Sequence, residues 1–182
     1  SPGFSSLRQL NLAGTWVGDT GVQALARSDR FAITSLNLGQ TDIGVKGARA
    51  LAQSPQMVAL KELNLFINKI GAIGAHELGQ SHYLASLEVL RLTHNKVGDE
   101  GAKSIAQSPF SRSLKTLDLN YCKLSEQGAS AIASRLSALR SLKLGGNKIG
   151  PNGARSLAKA PNMASIVSLE LEGNNIGGEG AR

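Results

Sequence analysis

Leu87-Glu88-Val89-Leu90-Arg91-Leu92-Thr93-His94-Asn95-Lys96-Val97-Gly98-Asp99-Glu100-Gly101-Ala102 reads as the pattern L-x-x-L-x-L-x-x-N-x-V-G-x-x-G-A. Close copies of the string begin at Leu7, Ile33, Leu60, Leu114, Leu139 and Ile166, so the seven starts lie 25 to 27 residues apart. Self-similarity at such a period marks a solenoid, in which one unit cannot bury its apolar face alone and must stack on the next. A length of 182 residues therefore sets no domain count, and residues 1–182 read as a single array of about seven repeats.

Within each unit the L-x-L segment alternates apolar and free positions, the period of a short strand with one face buried. Leu10/Leu12, Leu36/Leu38, Leu63/Leu65, Leu90/Leu92, Leu117/Leu119, Leu142/Leu144 and Leu169/Leu171 are expected to point inward. A turn position follows, held by Thr15, Thr41, Asn68, Asn95, Cys122, Asn147 and Asn174. A buried turn leaves backbone N–H and C=O groups that need partners, and an Asn amide supplies both kinds. The Gly-Ala pairs at 47–48, 74–75, 101–102, 128–129, 153–154 and 180–181 are expected to open an amphipathic helix. Phe4, Phe31, Met57, Leu84, Phe110, Leu136 and Met163 close each unit as a core column.

Strand, turn, helix and return require parallel strands and a right-handed coil. Strands stack about 4.8 Å apart whereas packed helices need roughly 8–10 Å. That mismatch bends the stack, and the expected fold is a right-handed α/β solenoid, a horseshoe with a parallel sheet on the concave face and helices on the convex face. Ser1-Pro2 matches the Ser54-Pro55 and Ser108-Pro109 endings of later units, and Gly177 to Arg182 stops where a helix begins. The expectation is a piece of a longer array without terminal caps, able to stack weakly head to tail.

The pattern resembles the leucine-rich repeat superfamily over the whole chain. Its spacing and its I-G-x-x-G-A-x-x-L-A tail are similar to the ribonuclease-inhibitor-like class, and Ile149 to Ala158 looks like repeats of bacterial proteins, some of them effectors delivered into host cells. The resemblance implies a protein-binding scaffold that uses its concave sheet. The spacing departs from a 28/29-residue alternation, so ribonuclease inhibition is not carried over.

Free strand positions form columns across the concavity. Phe66, Ile67, His94 and Tyr121 put bulky groups where other units carry small or polar ones, and Arg91 and Asp118 lie beside them. This is the composition of an interaction hot spot, and these six residues are the candidate partner-binding site. Lys69, Lys96, Lys123 and Lys148 follow the turn position in four consecutive units, a basic rim suited to an acidic partner. A net charge of +7 agrees with that lean.

Other classes fare worse. His76 and His82 are six residues apart, on different faces of any helix, and the chain lacks H-E-x-x-H, G-x-S-x-G, a phosphate-binding G-x-x-x-x-G-K and CxxC. No enzyme, metal or cofactor is implied. Nucleic-acid binding is supported by the Lys row but disfavoured by few aromatics and mixed-sign columns. A purely structural spacer is the other alternative. The one cysteine, the absence of a visible signal peptide and apolar runs too short for a bilayer point to a cytoplasmic, reducing compartment, or to host cytoplasm for an effector.

Overall fold

The computed structural model describes residues 6–28 and 32–181. Phe4 and Phe31 of the closing column, the Ser1-Pro2 ending and Arg182 lie outside the described residues. Seven three-residue strands, β1 (Gln9–Asn11), β2 (Ser35–Asn37), β3 (Glu62–Asn64), β4 (Val89–Arg91), β5 (Thr116–Asp118), β6 (Ser141–Lys143) and β7 (Ser168–Glu170), form one parallel sheet in sequence order. The register is set by the repeat, with Leu36, Leu63, Leu90, Leu117 and Leu142 facing one another strand to strand. The helices α1 (Gly18–Ala26), α2 (Val45–Ala52), α3 (Gly71–Gly79), α4 (Gly98–Ala106), α5 (Glu126–Arg135), α6 (Gly150–Lys159) and α7 (Gly177–Gly180) alternate with the strands. The fold is the expected α/β solenoid, with the sheet inside the curve and the helices outside.

The core is a single column system. Both inward leucines are fully buried in the third to sixth units, and Met57, Leu84, Phe110 and Leu136 close the units with no exposed surface. The end units depart from expectation. Leu10, Leu12 and Leu171 are half-buried and Leu169 is 45% exposed, because an outermost strand has a neighbour on one side. Helix starts also differ. In α3, α4 and α6 the helix begins at the Gly that follows Ile70, Val97 or Ile149, three residues before the Gly-Ala pair. The Gly-Ala pairs at 47–48, 74–75, 101–102, 128–129 and 153–154 serve instead as the buried inner face of the first turn, whereas Gly180 is half-buried and Ala181 exposed. Gly79 shows why small residues are needed at the helix seams: a Cβ there would stand 2.7 Å from the Ser104 carbonyl oxygen of α4.

The turn position behaves as its chemistry requires. Asn147 Nδ2 donates to the carbonyls of Leu119 (2.9 Å), Leu144 (2.7 Å) and Gly145 (3.3 Å), while its Oδ1 accepts from the N–H groups of Cys122 and Leu124, both 3.0 Å. Asn68, Asn95 and Asn174 repeat the arrangement, tying each unit to the one before it. Thr41 keeps the bond to its own unit, Oγ1 to the Leu38 carbonyl.

Cys122 is a member of this column. Its thiol donates to the Leu92 carbonyl at 3.0 Å. Burial pushes the thiol from an ordinary value of 9.0 to about 11, against the opposing N–H groups of Asn95 and Val97. A raised folded-state value means that the unfolded chain sheds this proton first as pH climbs. The contribution of this thiol is therefore constant below pH 9 and becomes destabilising between pH 9 and 11. Relative to Cys122→Ala, the chain is expected to lose roughly 2–3 kcal/mol more over that window, at 1.36 kcal/mol per unit. Urea melts at pH 8 and pH 11 measure it, and parallel pH profiles for the two proteins would contradict the assignment.

The turns after this column come in two forms. Gly18, Gly71, Gly98 and Gly150 adopt positive φ, and each N–H donates to the carbonyl of the following unit's turn residue. The second and fifth units lack that twist. There, a carboxylate of the preceding unit takes over: Asp19 Oδ1 accepts from Gly44 and Gly47 N–H at 2.8 Å. Asp99 Oδ1 likewise accepts from Ser125 and Gly128 N–H at 2.8 and 3.0 Å. Each anion sits at the N-terminus of the next helix, where free N–H groups favour negative charge.

Candidate protein-interaction face

Hydrogen bonding does not stop where the strands end. The column Gly14, Gln40, Ile67, His94, Tyr121, Gly146 continues as a ladder in which each N–H donates to the next unit at 2.8–3.0 Å. Every member, Gly173 included, has positive φ, between 50° and 73°. This left-handed kink turns the chain outward from the sheet and lifts the side chains of Ile67, His94 and Tyr121 off the core. Ile67 is 44% and Tyr121 50% exposed, and His94 is exposed as well.

His94 and Tyr121 meet directly. Their rings stack with centroids 4.4 Å apart and planes 1° from parallel. The Tyr121 ring also lies close over Gly146, where no side chain competes for the space. The other candidates have different surroundings. Phe66 is half-buried, with its ring laid over Gly39 of the preceding unit. Asp118 is half-buried and engaged: its Oδ1 accepts from Thr93 Oγ1 at 2.6 Å and from Asn120 N–H at 3.0 Å. Arg91 is half-buried between Asn64 and Asp118 in the strand register. The structure thus joins His94 and Tyr121, places Ile67 next in their ladder, and sets Phe66, Arg91 and Asp118 on the strand side.

The charge rows differ from one another. On the near edge of the sheet, Glu88 is shared by Lys115 (2.6 Å) and Lys61 (3.4 Å), whose hydrogen bonds, Lys115 first, hold its carboxyl below the ordinary value. Lys143 pairs with Glu170 at 2.8 Å. On the far edge Lys69 pairs with Asp42 at 2.6 Å, whereas Lys96, Lys123 and Lys148 are exposed and form no ion pair among the described residues. Neighbouring ammonium groups about 5 Å apart repel by less than about 1 kcal/mol in water, which the fold tolerates.

Sequence reasoning passed over Trp16, the chain's one tryptophan, which heads the Lys column and is 92% exposed. It flanks a shallow groove with Gly14, Gln40, Asp42, Ile67, Asn68 and Lys69. Its place in the column was the available signal. No group of three His, Cys, Asp or Glu side chains able to hold a metal ion occurs among the described residues. Nor is any described helix long and apolar enough to cross a membrane.

A family model described as Leucine Rich repeat matches residues 5–26, 33–52, 83–106, 110–133, 136–158 and 162–182, which is most of the chain. The chain belongs to the leucine-rich repeat family. The leucine-rich unit beginning at Leu60 is not among the matched segments, yet β3 and α3 hold the same register as their neighbours. No curated protein matches the chain. Among solved structures, 51 chains match. One is an internalin, InlF, of Listeria monocytogenes, 21% identical with a TM-score of 0.45. The match covers 93% of the present leucine-rich repeat chain and spans 62% of the internalin chain.

Proposed function

We propose that this chain is a non-enzymatic protein-recognition module, a single array over residues 1–182 that grips a partner protein through its concave side. Ile67, His94 and Tyr121 form the contact centre, with Phe66, Arg91 and Asp118 shaping the adjoining strand surface and Lys69, Lys96, Lys123 and Lys148 steering approach. Family membership supports a protein-interaction role. The observation that carries the reading is the exposed His94–Tyr121 stack: a rigid aromatic pair already ordered on the surface gives up little conformational freedom on binding. The ribonuclease-inhibitor-like class, a bacterial source, an effector role and a reducing cytoplasm belong to the same proposal.

Co-purification from native lysate tests it, with the array and a His94→Ala/Tyr121→Ala variant of unchanged melting temperature as baits. A protein retained by the first and lost by the second is the expected result. Equal retention would move the site to the helices, and no retention would favour a spacer.

A further inference from the structure

We infer that the far loop edge of the sheet, from Trp16 to Lys148, docks a short acidic segment of the partner protein that carries an apolar residue at one end. This rests on the protein-recognition reading and assigns that partner's chemistry. The edge has two halves. Trp16 and Ile67 flank a groove and are exposed, an apolar seat that the Asp42–Lys69 pair also lines. Beyond it, Lys96, Lys123 and Lys148 stand in three consecutive units with no acid between them. The other stacked rows of the array are interleaved, Lys61–Glu88–Lys115 on the near edge and Lys143–Glu170 in the strands. From Lys96 to Lys148 no acid is paired with the row among the described residues, and a partner that supplies the negative charge meets a complementary surface.

The lysines reach this edge through two backbone arrangements. Lys96 and Lys123 have positive φ, whereas the Lys69 and Lys148 N–H groups bond back to the carbonyls of Ile43 and Leu124. All four side chains stay on one edge through both arrangements. Beside them, Tyr121 lies between the His94 ring and Gly146, both rings are exposed, and their edges and the Tyr121 hydroxyl carry the hydrogen-bonding groups. Those edges offer hydrogen bonds to a carboxylate already held by Lys96 and Lys123. From the first unit to the sixth the edge spans about 24 Å at strand spacing, the length of roughly eight extended residues.

The probe is a fluorescein-labelled eight-residue peptide of Glu and Asp ending in Leu-Phe, titrated with the array in fluorescence anisotropy. Binding that weakens with salt is expected. Lys96→Ala/Lys123→Ala/Lys148→Ala should weaken it by about tenfold or more, and Tyr121→Ala by about threefold. The helix-side triple Lys46→Ala/Lys103→Ala/Lys159→Ala removes the same charge and should leave it within about twofold. Equal losses from the two triples would reduce the effect to net charge and overturn the inference. So would no binding by the unaltered array, or a single-stranded oligothymidylate that binds more tightly and is lost with the same lysines. A partner lost from His94→Ala/Tyr121→Ala but kept by the loop-edge triple would sink the acidic segment and leave the recognition reading standing.

Discussion

Asn147→Ala is expected to destabilise the array by about 4 kcal/mol. The side chain is buried and makes five hydrogen bonds, two accepted from Cys122 and Leu124 N–H and three donated to the Leu119, Leu144 and Gly145 carbonyls. Truncation orphans the Cys122 and Leu124 N–H groups and the Leu119 carbonyl, while Gly145 and Leu144 keep Tyr121 N–H and Asn174 Nδ2, and each orphaned group costs roughly 1–3 kcal/mol. Relaxation of the loop recovers part of the sum. Urea unfolding should show a lower midpoint with little change in slope. The exposed Asn152, whose amide oxygen accepts from Arg155, is the matched control and should shift by less than about 0.5 kcal/mol on the same change. Equal effects at 147 and 152 would mean that the buried amide column is dispensable.

Leu92→Asp is the more drastic change, and no folded central region is expected to survive it. Leu92 has no exposed surface and sits in the middle of the core. Replacement forfeits roughly 1.5–3 kcal/mol of burial and forces a carboxyl group among leucines, a further several kcal/mol. Together these reach the 5–15 kcal/mol of an ordinary domain. In a stack whose units contact only their neighbours, the break severs units on either side from each other. Far-ultraviolet circular dichroism should show a large loss of signal at 25 °C. Tyr121→Ala, by contrast, removes a half-exposed ring and a stacking contact, about 1 kcal/mol, and should melt cooperatively. A cooperative wild-type-like melt for Leu92→Asp would refute the inward assignment of its column.

The core was legible because it is copied. Leu90 and Leu92, Asn95 and Phe110 take their places from a period, and seven aligned instances leave little freedom in reading one of them. The helix starts were misplaced because a left-handed Gly at 71, 98 or 150 looks in sequence like any other Gly of the motif. At the candidate site the decisive fact was the neighbour, not the residue. Phe66 leans back over Gly39 while Tyr121 settles over Gly146 of the following unit, and the direction of each depends on which adjacent unit left room. A column read one residue at a time does not reveal that. The clustering of His94 with Tyr121 was legible because equivalent positions in adjacent parallel units lie side by side.

The carboxylates of Asp19 and Asp99 set a longer rhythm than the repeat itself. Each begins a run of three units in which the first supplies a cap, the second accepts it, and the third bonds back through Lys69 or Lys148. The seams are therefore not interchangeable. A gene duplication or deletion spanning three units would join matching ends, whereas one spanning a single unit would strand a cap or a back-bond. A designer splicing the array should cut where each cap stays with its acceptor.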